Sequence, residues 1–198
     1  VQLSIVALGH VHAEDLTPLT PHFTRIEQLV LDVPPRDALA KHRAELNQAI
    51  DAATADWILV VRERETIDET LAKEIVTAAT EAKAWGFRIR AIPFYAGKPL
   101  RIGVQDGELR LFHRRHLLRR GEMGVQGSVV RLTASLRSIT FPSIEEHHEH
   151  LKARAKPRGG LRRVLLFGRY LIGTRARDAN TLRYLWIEAG YEDSPATP

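Results

Sequence analysis

Two short runs, LSIVAL (Leu3–Leu8) and WILVV (Trp57–Val61), are apolar almost without a break. A strand that is apolar at successive positions, and so on both of its faces, needs cover on both sides. That is the situation of a strand inside a parallel sheet flanked by helices. Between the two runs, IEQLVLD (Ile26–Asp32) reads as another strand, stopped by Pro34-Pro35. From Asp37 to Ala53 the apolar residues Leu39, Ala40, Leu46, Ala49, Ile50 and Ala53 recur at helical spacing. Ile67–Trp85 has the same amphipathic pattern, with Gly86 as the expected stop. Pro18 and Pro21 confine any helix in the first connection to a short one. Strand, helix, strand, helix is the pattern of an α/β fold with crossover helices.

Beyond Gly86 the character changes. GFRIRAIPFYAGKPLRIG and ELRLF alternate in the β manner, interrupted by Pro93 and glycine turns, and VQGSVVRL adds a further strand. SIEEHHEHLKARA opens a helix, with Ser143 as N-cap and Glu146 at its third position. From Lys152 to Arg177 the chain carries nine Lys or Arg residues and no acid, interleaved with Leu161, Val164, Leu165, Leu166, Phe167, Tyr170, Leu171 and Ile172. The expected organisation is therefore an α/β domain over 1–150, with a mixed sheet flanked by helices, followed by a basic amphipathic helical extension over 151–198.

The chain of 198 residues is long enough to bury a core, and it contains no cysteine, which excludes disulfides and thiolate metal sites. No apolar run approaches the roughly 20 residues that span a bilayer, and residues 1–20 show no signal-peptide pattern. A cytoplasmic protein, peripheral at the inner face of the membrane, is the expectation. The net charge of +5 favours anionic partners. Nucleic acid is the weakest of these: FRIRAIPFY and RLFHRRH interleave aromatic and basic residues, but no helix-turn-helix, RRM, KH or zinc pattern accompanies them.

Several segments, in order along the chain, resemble the family 2 glycosyltransferases, and in particular proteins of the bacterial lipopolysaccharide-core glucosyltransferase type. LNQAIDAATADWILVVRERETIDETLAKEI is similar to the stretch in which an Arg-Asn pair opens a helix, followed by a Trp-led strand that ends in Asp-x-Asp-Glu. RIRAIPFYAGKPLRIG with LRLFHRR, FPSIEEHHEHL and YLWIEAGYED are similar to later blocks of the same group. The resemblance implies a GT-A fold, with a nucleotide-sugar half over 1–86 and an acceptor half over 87–150. Ligands of such open sheets bind outside the carboxyl ends of the strands. It also implies substrate-binding roles for Asp32 and Asn47, and for Arg62, Arg64 and Glu65 at the end of the third strand. Glu122, in RRGEMG, stands near the expected catalytic base, which must reach an acceptor hydroxyl.

The departures from the family pattern are as informative as the matches. Arg62-Glu63-Arg64 stands where Asp-x-Asp would hold a divalent cation, and hard cations need oxygen ligands. Exchanging two carboxylates for two guanidinium groups reverses the local charge, so no divalent metal and no other cofactor is expected. The family's Arg ahead of Asn47 is Leu46, the Asn-Glu pair after the first strand is replaced by Gly9-His10-Val11-His12, and Ser/Thr-Asp after Asp32 by Val33-Pro34-Pro35. A later family His has become roughly Ser138. A degenerate, non-catalytic relative is the first expectation. A metal-independent transferase, with Arg62 and Arg64 clamping the diphosphate of a nucleotide-sugar donor, is the alternative. A basic membrane- or nucleic-acid-binding module is the third.

Each of these residues also has a plainer role open to it. Arg62–Glu65 reads equally as a solvated turn, Asp32 as an ordinary loop acid, and Asn47 as a solvent-facing helix residue. Glu146, His147 and His150 can share a helix face and so present metal ligands, although such faces are commonly just solvated. His10 and His12 read as a loop pair. The basic segment 152–177 suits an anionic membrane surface, or a helix whose apolar face packs on the domain.

Overall fold

The computed structural model describes residues 1–32, 43–102, 104–118, 124–157, 160–174 and 178–193. Two compact units emerge, one formed by Val1–Ala91 with Gln105–Ser138, the other by Ile92–Val104 with Ile139–Pro198. The division between them falls between Ala91 and Ile92, between Val104 and Gln105, and between Ser138 and Ile139.

In the first unit the elements are β1 (Gln2–Leu8), α1 (Ala13–Leu16), β2 (Arg25–Leu31), α2 (Arg43–Ala52), β3 (Trp57–Arg62), β4 (Glu65–Thr66) and α3 (Glu69–Glu81). They are followed by β5 (Gly86–Tyr95), which runs on into the second unit, and, after β6 (Lys98–Pro99) there, by β7 (Gln105–His113), β8 (Leu117–Leu118), β9 (Gly124–Val125) and β10 (Val129–Phe141). The sheet order is β2-β1-β3-β7-β5-β10-β4. β1 pairs parallel with both β2 and β3, while β3–β7, β5–β7 and β10–β4 are antiparallel. The protein is thus a mixed α/β fold, with three parallel strands continuing into antiparallel ones.

The apolar runs are explained by cover on both faces. Leu3, Ile5 and Ala7 of β1, with Trp57, Leu59 and Val61 of β3, pack with Leu71, Ala72, Ile75 and Ala79 of α3. The alternate residues, Val6, Leu8, Ile58 and Val60, pack with Leu46, Ala49 and Ile50 of α2. The one polar residue inside LSIVAL, Ser4, is satisfied: it donates to Glu27 Oε2 at 2.8 Å and accepts from the Ala55 N–H at 3.1 Å. Asp68 caps α3 by accepting the Leu71 N–H at 3.0 Å.

α3 is shorter than its sequence pattern suggests. It ends at Glu81, capped by Ala82 in the left-handed conformation at φ 48°, and Gly86 opens β5 instead of stopping a helix. A Cβ on Gly86 would lie 2.8 Å from both Leu109 Cδ1 and Val125 Cγ2, so packing of the sheet is what requires glycine there. The first part of the helix expected from Asp37 lies outside the described residues.

The second unit holds the end of β5 and its hairpin partner β6, joined through Ala96 and Gly97 at positive φ, the geometry that a two-residue hairpin needs. With them are α4 (Ile144–Arg154), β11 (Ala155–Pro157), α5 (Gly160–Thr174), α6 (Ala179–Ala189) and β12 (Tyr191–Asp193). Ser143 caps α4 as expected, its Oγ accepting the Glu146 N–H at 3.1 Å. The basic segment 152–177 is not one helix: it covers the end of α4, a strand that pairs with β12, and α5. Pro157 and Gly160 account for the break, since neither sustains a helix interior. No helix among the described residues is long and apolar enough to cross a membrane.

Candidate functional site

The carboxyl ends of β1 and β3 lie side by side, with Leu8 in register with Arg62. The loops leaving them are pinned by backbone hydrogen bonds, Glu63 N–H to Leu8 O at 2.8 Å and Gly9 N–H to Leu31 O at 2.9 Å. Gly9 has φ +78°, and a Cβ there would meet Glu63 Oε2 at 3.0 Å. Chain order reverses about β1, so this edge is the switch point at which open α/β sheets bind ligands. Exposed His10 and His12 flank it, their rings 4.8 Å apart, and Asp32 is exposed at the end of β2. Burial raises the Asp15 carboxyl above its ordinary range, with nearby His12 opposing the effect.

The Arg62–Glu65 stretch resolves into two different environments. Arg62 is 8 % exposed and Glu65 2 %, whereas Arg64 is exposed and sits on the turn at φ 62°. Arg62 Nη2 donates to Glu108 Oε1 at 3.1 Å and Oε2 at 2.9 Å. The Arg110 guanidinium, fully buried, donates through Nη1 to Glu65 Oε2 at 3.3 Å and through Nη2 to Glu65 Oε1 at 3.0 Å. Its Nε lies 3.2 Å from Glu108 Oε2, which links the two pairs. Glu65 Oε2 also accepts the Arg62 N–H at 2.8 Å. Arg62, Glu65, Glu108 and Arg110 therefore form a charge-balanced, mostly buried network, the arrangement that lets ions persist away from water.

This set does not fit a divalent cation. Both oxygens of Glu65 are engaged by donors and Glu108 holds two guanidinium groups, so neither carboxylate presents a lone-pair pattern free of positive charge. No group of three or more metal-ligating side chains assembles among the described residues. Nor is the stretch a simple solvated turn, although Arg64 is exposed, with its Nε 4.0 Å from Glu63 Oε1.

No family model matches the chain, and no curated protein matches it.

Of the residues expected to form a site, Arg62 and Glu65 come together through the network. Arg64 is on the same turn with its side chain outside that network. Asn47 lies on α2, half-buried, and Leu46 beside it is part of the apolar core. Glu122 and Val33-Pro34-Pro35 lie outside the described residues. Sequence reasoning missed Glu108 and Arg110, the partners that decide what Arg62 and Glu65 can do. Their signal was the charge pair two apart on one face of ELRLF, opposite in sign to the pair on VRERE.

The histidines of EEHHEH also differ from expectation. His147 is fully buried, with Nδ1 3.2 Å from the Tyr95 hydroxyl and Nε2 3.1 Å from Glu188 Oε1. Its ring stacks on Phe141 at 4.3 Å and on Tyr184 at 5.1 Å. Both ring nitrogens are thus engaged, and His150 packs against Phe141 at 5.2 Å instead of sharing a metal face with His147. Burial raises the Tyr95 phenol above its ordinary range. The cluster of Tyr95, Phe141, His147 and Tyr184 is the aromatic centre of the second unit.

Proposed function

We propose that this chain is a family 2 glycosyltransferase-like domain of GT-A type that does not transfer sugar through a metal-bridged diphosphate. The observation that carries the reading is the bidentate Glu108 grip on Arg62 together with the Arg110 grip on Glu65. In the resembled family the same strand end would present acids to a cation. Here the charges at that place neutralise one another and hold β3, β4 and β7 together. The parallel β2-β1-β3 set running into antiparallel β7 supports the GT-A reading, as does the collinear series of resembling segments.

The test is donor turnover and binding. The full chain would be incubated with UDP-glucose, UDP-galactose, UDP-N-acetylglucosamine and GDP-mannose, with Mn²⁺ or with EDTA, and released nucleotide measured. The reading expects no turnover in either condition. Turnover that EDTA abolishes would overturn it.

A second reading is favoured by one observation, the exposure of Arg64 at the switch-point edge. A guanidinium there can meet a diphosphate without a metal. UDP binding that is equal in Mn²⁺ and EDTA, and is lost on Arg64→Ala, would support that reading over the first.

A further inference from the structure

α5 carries two apolar faces, and among the described residues only one of them packs against another element. On the packed side Arg163 donates through Nε and Nη2 to Trp186 O at 3.2 and 3.1 Å. Its guanidinium lies 4.2 Å from the centroid of the Trp186 ring, which Phe167 meets edge-on at 5.1 Å. This side docks α5 on α6.

The other side is different. Val164 is 54 % exposed, Leu165 66 % and Ile172 83 %. At about 100° per residue these three, with Gly168 between them, fall within a sector of about 100°. Arg162 and Arg169, both exposed, border that sector at its edge. α5 itself contains no acid, and neither does the whole stretch from Lys152 to Arg177.

We propose that this face of α5 docks on an anionic lipid surface. A helix lying in the headgroup plane buries an apolar stripe while basic side chains at its border meet lipid phosphates. The placement of Arg162 and Arg169 beside Val164, Leu165 and Ile172 supplies both contacts from one face. A second copy of the chain fits less well. Two such faces would bring like charges together with no acid on either helix to meet them. Three side chains also cover much less than the roughly 800 Å² per partner of a standard protein interface. The proposal is independent of the nucleotide-site reading, since it rests on side chains of the second unit alone.

The experiment is vesicle flotation of the full chain with phosphatidylcholine alone and with phosphatidylcholine containing phosphatidylglycerol at a 70:30 ratio. Recovery with the anionic vesicles is expected to exceed that with neutral ones by about ten-fold, and to fall as salt shortens the Debye length. The paired variant Leu165→Glu/Ile172→Glu changes only exposed side chains and is expected to lose about ten-fold in recovery. Since the chain has no cysteine, Ile172→Cys accepts a single environment-sensitive dye, and Thr70→Cys, exposed on α3, serves as its control. The dye at position 172 is expected to shift to the blue with anionic vesicles, and the dye at position 70 to stay unchanged. Wild-type protein that does not float, or a paired variant that floats equally well, would overturn the proposal. A blue shift at position 172 that needs no lipid and grows with protein concentration would assign the face to a second copy instead.

Discussion

Replacing Arg110 by Leu tests the network at its most buried member. The change removes both hydrogen bonds to Glu65 and the nitrogen 3.2 Å from Glu108 Oε2. Glu65, 2 % exposed, is then left as a carboxylate whose remaining contact among those described is the Arg62 N–H. Breaking a buried pair from one side costs about 3–5 kcal/mol, because the surviving charge is stranded. At about 2–4 °C per kcal/mol for a chain of this size, melting should fall by roughly 6–20 °C. The assay is thermal and urea unfolding followed by circular dichroism. The paired variant Arg110→Leu/Glu65→Leu removes both charges and should recover most of that loss, since an apolar pair of similar volume is often neutral or better. A single variant that loses less than about 1 kcal/mol, or a paired variant whose loss is the plain sum of the two singles, would refute the reasoning.

Three further outcomes follow from local geometry. Gly86→Ala places a Cβ 2.8 Å from two side-chain carbons and should cost about 1–3 kcal/mol in urea unfolding. His113 packs edge-on against Trp57 and Trp85, and burial lowers its pKa while Asp56 opposes the shift. Its folded pKa lies below the unfolded value, so its contribution to stability is present above about pH 6.5 and is lost as pH falls below that. His113→Phe should therefore show a shallower loss of stability between neutral and mildly acid pH than the wild type. Arg64→Ala, at an exposed side chain outside the buried network, should leave stability within about 0.5 kcal/mol, in contrast to Arg110→Leu.

The parallel half of the fold was legible because LSIVAL and WILVV are short, rich in Ile and Val, and apolar at successive positions, which suits strands covered on both faces. The Ser143 cap was legible because its spacing to Glu146 is local. What escaped depended on partners remote in sequence. Nothing near VRERE shows that Glu108 will grip Arg62 or that Arg110 will grip Glu65, since β7 reaches β3 only after an intervening helix and a long strand. EEHHEH looks solvated for the same reason: Tyr95 and Glu188, which bury and bind His147, come from opposite ends of the second unit's sequence. α3 ended before Gly86 because the glycine was needed more by the Leu109–Val125 packing than by the helix terminus. The apolar residues of α5 were legible as a single interleaved set, and only the fold separates those that meet Trp186 from those that meet solvent.

The central claim is that the end of β3 is a structural ion network and not a metal–diphosphate site. Calorimetric titration of the full chain with UDP and GDP, each with Mn²⁺ and with EDTA, tests it most directly. The account predicts isotherms that do not change with the metal, whether flat or weakly binding. Nucleotide binding that appears only with Mn²⁺ and is lost in Glu65→Gln would contradict it.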